Sequence, residues 1–217
     1  FTDGFYTDNT DFTSSSEADF ALTGRIEYNT TGDWARYKDF TSWRSQEEFA
    51  GKIGGSLHWQ DGGETGGTVD TQLLRYSIDA QFEGGGWNAF IAGMGEHIES
   101  DATGAEGDNF GLLAQGGIFL ADQFELFGRV DAIFWDDDFV GSGQDDLWFL
   151  TVGGNYYISP DSHAAKFTAE VGYSFNDNTI LFAPGTGLLT SGGEDVRFLG
   201  QSDDGELYFG LQLQTMW

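Results

Sequence analysis

Strict alternation between apolar and polar side chains is the feature that most constrains the fold of this chain. The final segment, residues 206–217, shows the alternation clearly. One parity is largely apolar and the other is mostly polar: Leu207, Phe209, Leu211, Leu213, Thr215 and Trp217 against Glu206, Tyr208, Gly210, Gln212, Gln214 and Met216. Successive side chains of a strand point to opposite faces, so the segment is predicted to be a strand with one apolar face.

The same alternation recurs in about nine segments of roughly ten residues, the length that crosses a bilayer at the tilt of a barrel strand. The connections between these segments are of two kinds. They are short at 83–86, 121–123 and 159–162, and long and acidic at 61–70, 98–109, 136–146 and 176–205. Short periplasmic turns and long external loops are typical of membrane barrels. The pattern therefore predicts an all-β fold, a transmembrane antiparallel β-barrel.

The connection at 30–46 departs from this rule, because it falls on the periplasmic side and yet is long. The strand count also departs from that of a complete barrel. Bacterial single-chain barrels have an even number of strands and both ends in the periplasm, whereas here the first strand starts from the external side after a polar stretch at 1–19. We expect residues 1–217 to be one barrel domain that is the C-terminal part of a porin with about 16–18 strands.

Composition excludes several classes of protein. A helical membrane protein needs runs of about 18 or more apolar residues, and the sequence has none. A barrel needs only half of each strand to be apolar, which agrees with a hydrophobic fraction of 39%. The net charge of -27 excludes nucleic acid as a partner, because phosphates would be repelled. The absence of cysteine excludes a disulfide framework and a thiolate metal site.

The run from Gly32 to Trp43, with Glu47, Glu48 and Phe49 after it, resembles a segment of the phosphate-selective porin O/P type family. The resemblance covers residues 20–59 and rests on the pattern GxW, DFTSW and EEF. A closing strand that ends on an aromatic residue is also similar to those of bacterial outer-membrane barrels. The resemblance implies an outer-membrane porin of a Gram-negative bacterium that forms a homotrimer.

Five of the nine basic residues, together with several acidic ones, lie on the parity opposite the apolar one. A charged side chain that faces lipid at the bilayer midplane costs about 2–4 kcal/mol, so this parity is predicted to face a water-filled lumen. The predicted pore-lining residues are Arg25, Glu27, Lys52, Arg75, Asp79, Arg129, Asp131, Lys166 and Glu170. Two interpretations stay open: fixed charges that set the field of the pore, or ion pairs that brace its wall.

The predicted function is passive diffusion of small hydrophilic solutes or ions through a water-filled channel. Most basic residues have an acidic neighbour, which argues against phosphate selectivity and favours weak selectivity for cations. No enzyme activity is expected, because His58, His97 and His163 lie on separate segments without ligand or triad spacing. No cofactor is expected apart from loosely bound Ca²⁺ at acidic external loops such as 136–146.

The expected surroundings are outer-membrane lipid and lipopolysaccharide, whose anionic head groups divalent ions would bridge to the acidic loops. An alternative from another class is a secreted, acidic, all-β module that binds carbohydrate on exposed Trp and Tyr. The two hypotheses differ in solubility, since only the barrel needs detergent for extraction.

Overall fold

The structure, a computed structural model, describes residues 20–38, 42, 48–62, 71–100, 104–136, 146–160, 162–175 and 206–215. These residues form one antiparallel sheet in which each strand pairs with the next along the chain. The strands are β1 (Phe20–Thr31), β2 (Ala50–Asp61), β3 (Thr71–Gly84), β4 (Trp87–Ser100), β5 (Ala105–Ala121), β6 (Phe124–Phe134), β7 (Asp146–Ser159), β8 (Ser162–Ser174) and β9 (Glu206–Thr215). The predicted all-β class and nine-strand count are confirmed.

Strand register places the apolar parity of every strand on the same side of the sheet, which we call the outer face. Leu22 pairs with Trp59, and Leu57 pairs with Tyr76. The register continues to β9, where Phe209 lies opposite Val171. Trp217 lies outside the described residues. The opposite side, which we call the inner face, carries the other parity, which is mostly polar except on β4, where it includes Phe90, Ala92 and Met94.

Burial on the two faces is the reverse of that in a soluble protein. On the outer face, Leu211 is 89% and Ile26 is 81% exposed, whereas on the inner face Gln81 and Glu125 are 2% and 1% exposed. Within the described residues no second sheet covers the inner face. The sheet must therefore curve toward its inner face, so that polar side chains from different strands bury one another.

The short connections lie at one end of the sheet, which we call the short-turn end. Residues 85–86, 122–123 and 160–161 join the paired strands there, as predicted. Gly86 has a φ of 79°, a conformation that residues with a Cβ rarely adopt, which accounts for glycine in this turn.

The prediction of a loop over 98–109 was wrong. Ile98 pairs with Gly107 and Ser100 pairs with Ala105, so the β4–β5 hairpin leaves only residues 101–104 between its strands. The acidic character of this stretch suggested a loop. Strand pairing satisfies the backbone groups whatever the side chains are, so an acidic segment can continue a ladder.

The β1–β2 connection contains a short 3₁₀ helix over Trp34–Lys38. It lies at the short-turn end, because β1 ends at Thr31 and β2 begins at Ala50. The Tyr37 hydroxyl donates to the carbonyl oxygen of Thr31 at 2.7 Å, which turns this segment back toward the sheet. Among the described residues, no helix is long and apolar enough to cross a membrane.

Candidate functional site

The inner face of β1–β3 carries a connected group of charged side chains. Arg25 Nη1 lies 2.8 Å from Asp79 Oδ2, and Arg25 Nη2 lies 2.9 Å from Glu27 Oε1. Lys52 Nζ lies 3.0 Å from the same Glu27 oxygen. Four of the residues predicted to line a lumen therefore meet in one network.

A glycine in β2 makes the contact between β1 and β3 possible. Arg25 and Asp79 lie on either side of Gly54, which pairs with both Glu27 and Asp79 in the strand register. A Cβ on Gly54 would lie 3.0 Å from Asp79 Oδ1 and closer still to the Arg25 guanidinium. The absence of a side chain at this position lets the arginine reach over the middle strand.

The other predicted residues lie on the same inner face, in smaller groups. Arg129 Nε donates to Asp131 Oδ2 at 2.8 Å along β6. Glu170 accepts a hydrogen bond from the Tyr208 hydroxyl at 3.2 Å, and Lys166 pairs with Gln214 in the strand register.

Arg75 completes the predicted set and pairs with a residue that the sequence analysis missed. Its guanidinium forms an ion pair with Glu96 on β4. Glu96 lies opposite Arg75 in the register, so a prediction of strand pairing in addition to parity would have found it.

A second group at the short-turn end was also missed, and it is centred on Glu125. This side chain is 1% exposed and accepts hydrogen bonds from strands on either side. Asn155 Nδ2 and the Tyr157 hydroxyl donate to Oε2 at 2.9 and 2.7 Å, and Asn88 Nδ2 donates to Oε1 at 3.2 Å. The sequence does contain a signal that could have identified Glu125. It is an acidic residue on the inward parity, directly after a short turn, with no basic residue two positions away on the same strand.

A glycine again separates the partners in this group. Asn88 on β4 reaches Glu125 on β6 across Gly117 of β5. A Cβ on Gly117 would lie 2.7 Å from Glu125 Oε1 and 2.8 Å from Asn88 Nδ2, both too close for an ordinary contact. The inner face therefore uses glycine on a middle strand to connect polar side chains of its two neighbours.

Carboxylates outnumber cations on the described strands of the inner face. The acids are Glu27, Asp79, Glu83, Glu96, Glu125, Asp131 and Glu170, and the cations are Arg25, Lys52, Arg75, Arg129 and Lys166. Such a face presents fixed charges, with a negative balance, to whatever fills the concave side of the sheet. Among the residues described, no group of three or more His, Asp or Glu is arranged to hold a metal ion. The predicted Ca²⁺ loop at 136–146 lies mostly outside them.

The three histidines lie on β2, β4 and β8, on separate elements as the sequence indicated. His58 Nδ1 is 2.7 Å from the Thr23 hydroxyl, and His97 Nδ1 is 3.0 Å from Asp108 Oδ1. His163 stacks on the Tyr157 ring with centroids 4.5 Å apart. The absence of an enzymatic activity stays a prediction.

No protein-family model matches the chain, and comparison with curated proteins gives no match. Solved structures do resemble it. In-vitro folded OmpT, an outer membrane protein of Vibrio cholerae, has 13% sequence identity and a TM-score of 0.50 over 90% of this chain and 57% of that one. The trimer form of in-vitro folded OmpT has 13% identity and a TM-score of 0.50 over 88% and 56%. The outer-membrane expressed form has 13% identity and a TM-score of 0.48 over 74% and 46%. The fold is that of an outer-membrane β-barrel.

The comparisons confirm the predicted fold class, and the names of the solved proteins agree with the predicted location in the bacterial outer membrane. The chain spans about half the length of these proteins, from 46% to 57%. The comparisons support an outer-membrane barrel and do not support the narrower resemblance to the phosphate-selective porin O/P type family.

Proposed function

We propose that this chain forms part of the wall of a porin, a water-filled channel through which small hydrophilic solutes or ions diffuse across the bacterial outer membrane. The observation that carries the proposal is the reversed polarity of the sheet. Apolar side chains such as Leu211 and Ile26 are exposed on the outer face, while charged side chains such as Arg25 and Asp79 meet on the inner face. A hydrocarbon exterior and an aqueous interior stabilise this arrangement.

Extraction and conductance test the proposal together. We expect the protein to leave the membrane fraction only with detergent, to show heat-modifiable mobility on gels, and to form open channels in planar bilayers. Full solubility in buffer without detergent would overturn the proposal and favour the carbohydrate-binding module. That alternative is supported less well, because exposed apolar residues cover all nine strands of the outer face and do not form a local binding platform.

We also propose weak selectivity for cations. The carboxylate surplus of the inner face supports it, since fixed negative charge attracts cations into a pore. The paired state of Arg25 and Arg129 supports weak selectivity, because their charges are compensated by adjacent acids. A reversal potential that shows clear anion preference would contradict this proposal. The nine predicted residues are accordingly proposed as pore-lining.

Further strands of the same polypeptide are proposed to complete the barrel. Among the described residues, β1 pairs with β2 and β9 pairs with β8, so each of these two strands has a neighbouring strand on one side of the sheet. A strand in lipid needs a neighbouring strand on both sides, because its backbone groups must be paired within the protein. An intact mass of the source protein near 23.8 kDa would contradict this. A homotrimer is proposed as the assembly, in agreement with the trimer form of one solved neighbour.

A further inference from the structure

Described residues of the long β1–β2 connection contact the inner face at the short-turn end. We call residues 32–38 and Ser42 of this connection the strap. Arg36 provides the first attachment: its Nε lies 3.6 Å from Glu83 Oε2 on β3, and the two side chains are 9% and 1% exposed. Arg36 Nη2 also donates to the carbonyl oxygen of Glu48 at 3.0 Å, which fixes the start of the strap to its return. A connection that passed outside the sheet would leave this arginine in water.

Ser42 provides the second attachment, much farther across the sheet. Its backbone N–H donates to Glu125 Oε1 on β6 at 2.7 Å, and its hydroxyl accepts from Asn88 Nδ2 on β4 at 2.8 Å. Ser42 is 0% exposed. The strap therefore reaches the carboxylate group at which β4, β6 and β7 converge.

The distance covered shows that the strap crosses the inner face. It leaves β1 and returns to β2, but it contacts β6, and strands about 4.8 Å apart place β2 and β6 about 19 Å from each other along the sheet. A tight turn needs only two residues to join paired strands. Ser42 therefore lies over β4 and β6 on the concave side of the sheet, away from the two strands that the connection joins.

The attachments are specific enough to hold the strap in place. Burying Glu83 and Glu125 is costly unless cations or hydrogen-bond donors compensate the charge, and the strap supplies part of that compensation to each. Tyr37 adds a third contact, with Lys52 Nζ located 5.6 Å from its ring centroid. The strap is therefore a constituent of the inner face.

We propose that the strap narrows the aqueous passage at the short-turn end and sets the size limit for solutes there. This inference rests on the proposed porin function. The other connections at this end are only two residues long, at 85–86, 122–123 and 160–161, and are too short to cover the interior. The strap therefore occupies interior space that those turns leave open. Arg36, Tyr37 and Lys52 bring cationic and aromatic groups to this constriction, beside Glu83.

Cysteine crosslinking tests the position of the strap, because the sequence contains no cysteine of its own. In Ser42→Cys/Asn88→Cys, treatment of the membrane-embedded protein with copper–phenanthroline and oxygen is expected to form a disulfide within one polypeptide. The matched control is Ser42→Cys/Ala89→Cys, whose second cysteine is adjacent along β4 and faces outward. A disulfide in the control, or none in the first variant, would overturn the proposed position.

Conductance tests the role of the strap. Glu125→Ala removes the second attachment, and Arg36→Ala/Glu83→Gln removes the first without leaving a buried carboxylate unpaired. Both are expected to raise single-channel conductance in planar bilayers beyond the spread of wild-type recordings, and to admit larger neutral sugars in liposome swelling. Asp122→Asn, which neutralises an exposed carboxylate in a short turn of the same end, serves as the control and should leave conductance unchanged.

The outcomes separate the two proposals. A wild-type protein that opens no channels contradicts the porin function. Wild-type channels whose conductance and sugar limit stay the same in Glu125→Ala and in Arg36→Ala/Glu83→Gln contradict the constriction and leave the porin function standing. Glu125→Ala could lose heat-modifiable mobility because it no longer folds. In that case two other proteins test the constriction: conductance should rise in Arg36→Ala/Glu83→Gln and should stay at the wild-type value in the crosslinked Ser42→Cys/Asn88→Cys channel.

Discussion

The backbone N–H of Ser42 donates a hydrogen bond of 2.7 Å to Glu125 Oε1, although 83 residues separate the two positions. The bond joins a connection between the first two strands to the middle of the sheet. It shows that the inner face is built from side chains of several strands together with backbone from outside them.

Replacing Glu125 is expected to destabilise the protein. In Glu125→Ala, the donors of Ser42, Asn88, Asn155 and Tyr157 lose their common acceptor, and each buried group left unsatisfied costs about 1–3 kcal/mol. Urea unfolding in detergent micelles measures the change in the free energy of unfolding. Asp122→Ala, at an exposed turn position, is the control. Equal unfolding midpoints for the two variants would refute the structural role of the Glu125 group.

A cation placed on the outer face is expected to cost more than one placed on the inner face. Leu211 is 89% exposed on the outer face, and Gln212 is its neighbour on the inner face. Leu211→Arg should lose up to about 2–4 kcal/mol of stability in a bilayer, whereas Gln212→Arg should be nearly neutral. Unfolding by urea in lipid vesicles measures both. If Gln212→Arg proves the more harmful substitution, the assignment of the faces is wrong.

Charge substitution in the β1–β3 network is expected to shift ion selectivity in opposite directions. Glu27→Gln leaves Arg25 and Lys52 with less compensation, so the reversal potential should move toward anion preference. Arg25→Gln should move it toward cation preference. Recordings in asymmetric KCl give both values. A shift of the same sign in the two variants would show that this network does not face the permeating ions.

Two glycines should respond differently to a methyl group. A Cβ on Gly172 would lie 2.7 Å from Tyr208 Cζ and closer to other atoms of that ring, whereas a Cβ on Gly24 would meet nothing within 4 Å. Gly172→Ala should displace Tyr208 from its stacked contact with Phe149, at a cost of about 1–3 kcal/mol. Gly24→Ala should stay within about 0.5 kcal/mol of wild type. Urea midpoints compare the two, and equal midpoints would contradict close packing at Gly172.

Alkaline pH is expected to weaken the strap through Tyr37. Burial raises the pKa of Tyr37, and the nearby Glu83 carboxylate acts in the same direction. The folded protein therefore keeps this proton to higher pH than the unfolded chain does. The neutral Tyr37 hydroxyl therefore contributes to the free energy of unfolding below the ordinary tyrosine pKa of about 10, and this contribution is lost as pH rises above it.

Comparison of wild type with Tyr37→Phe isolates this effect from other groups that titrate in the same range. Wild type should lose more unfolding free energy than Tyr37→Phe between pH 8 and pH 11. Urea titrations at both pH values provide the measurement. An identical loss in the two proteins would show that Tyr37 makes no contribution to the alkaline response.

The strands, their faces and their short turns were predictable from the sequence, because each depends on neighbouring residues alone. A period of two assigns every side chain to one face, and a slip by one residue would expose the charged parity to lipid, so the register is strongly specified. This is why Arg25, Lys52 and Asp79 lie on the inner face as predicted. The 98–109 prediction was wrong for the complementary reason, since polar composition does not reveal whether backbone pairing continues.

Contacts between strands that are not neighbours along the sheet were decided only by the tertiary structure. Whether Arg25 reaches Asp79, or Asn88 reaches Glu125, depends on the curvature of the sheet and on a glycine at the matching position of the strand between them. The inward path of the strap depends on the same curvature, because Ser42 meets Glu125 only when β6 is brought toward β1. Alternation along one strand carries no information about these distances, which arise from the assembled sheet.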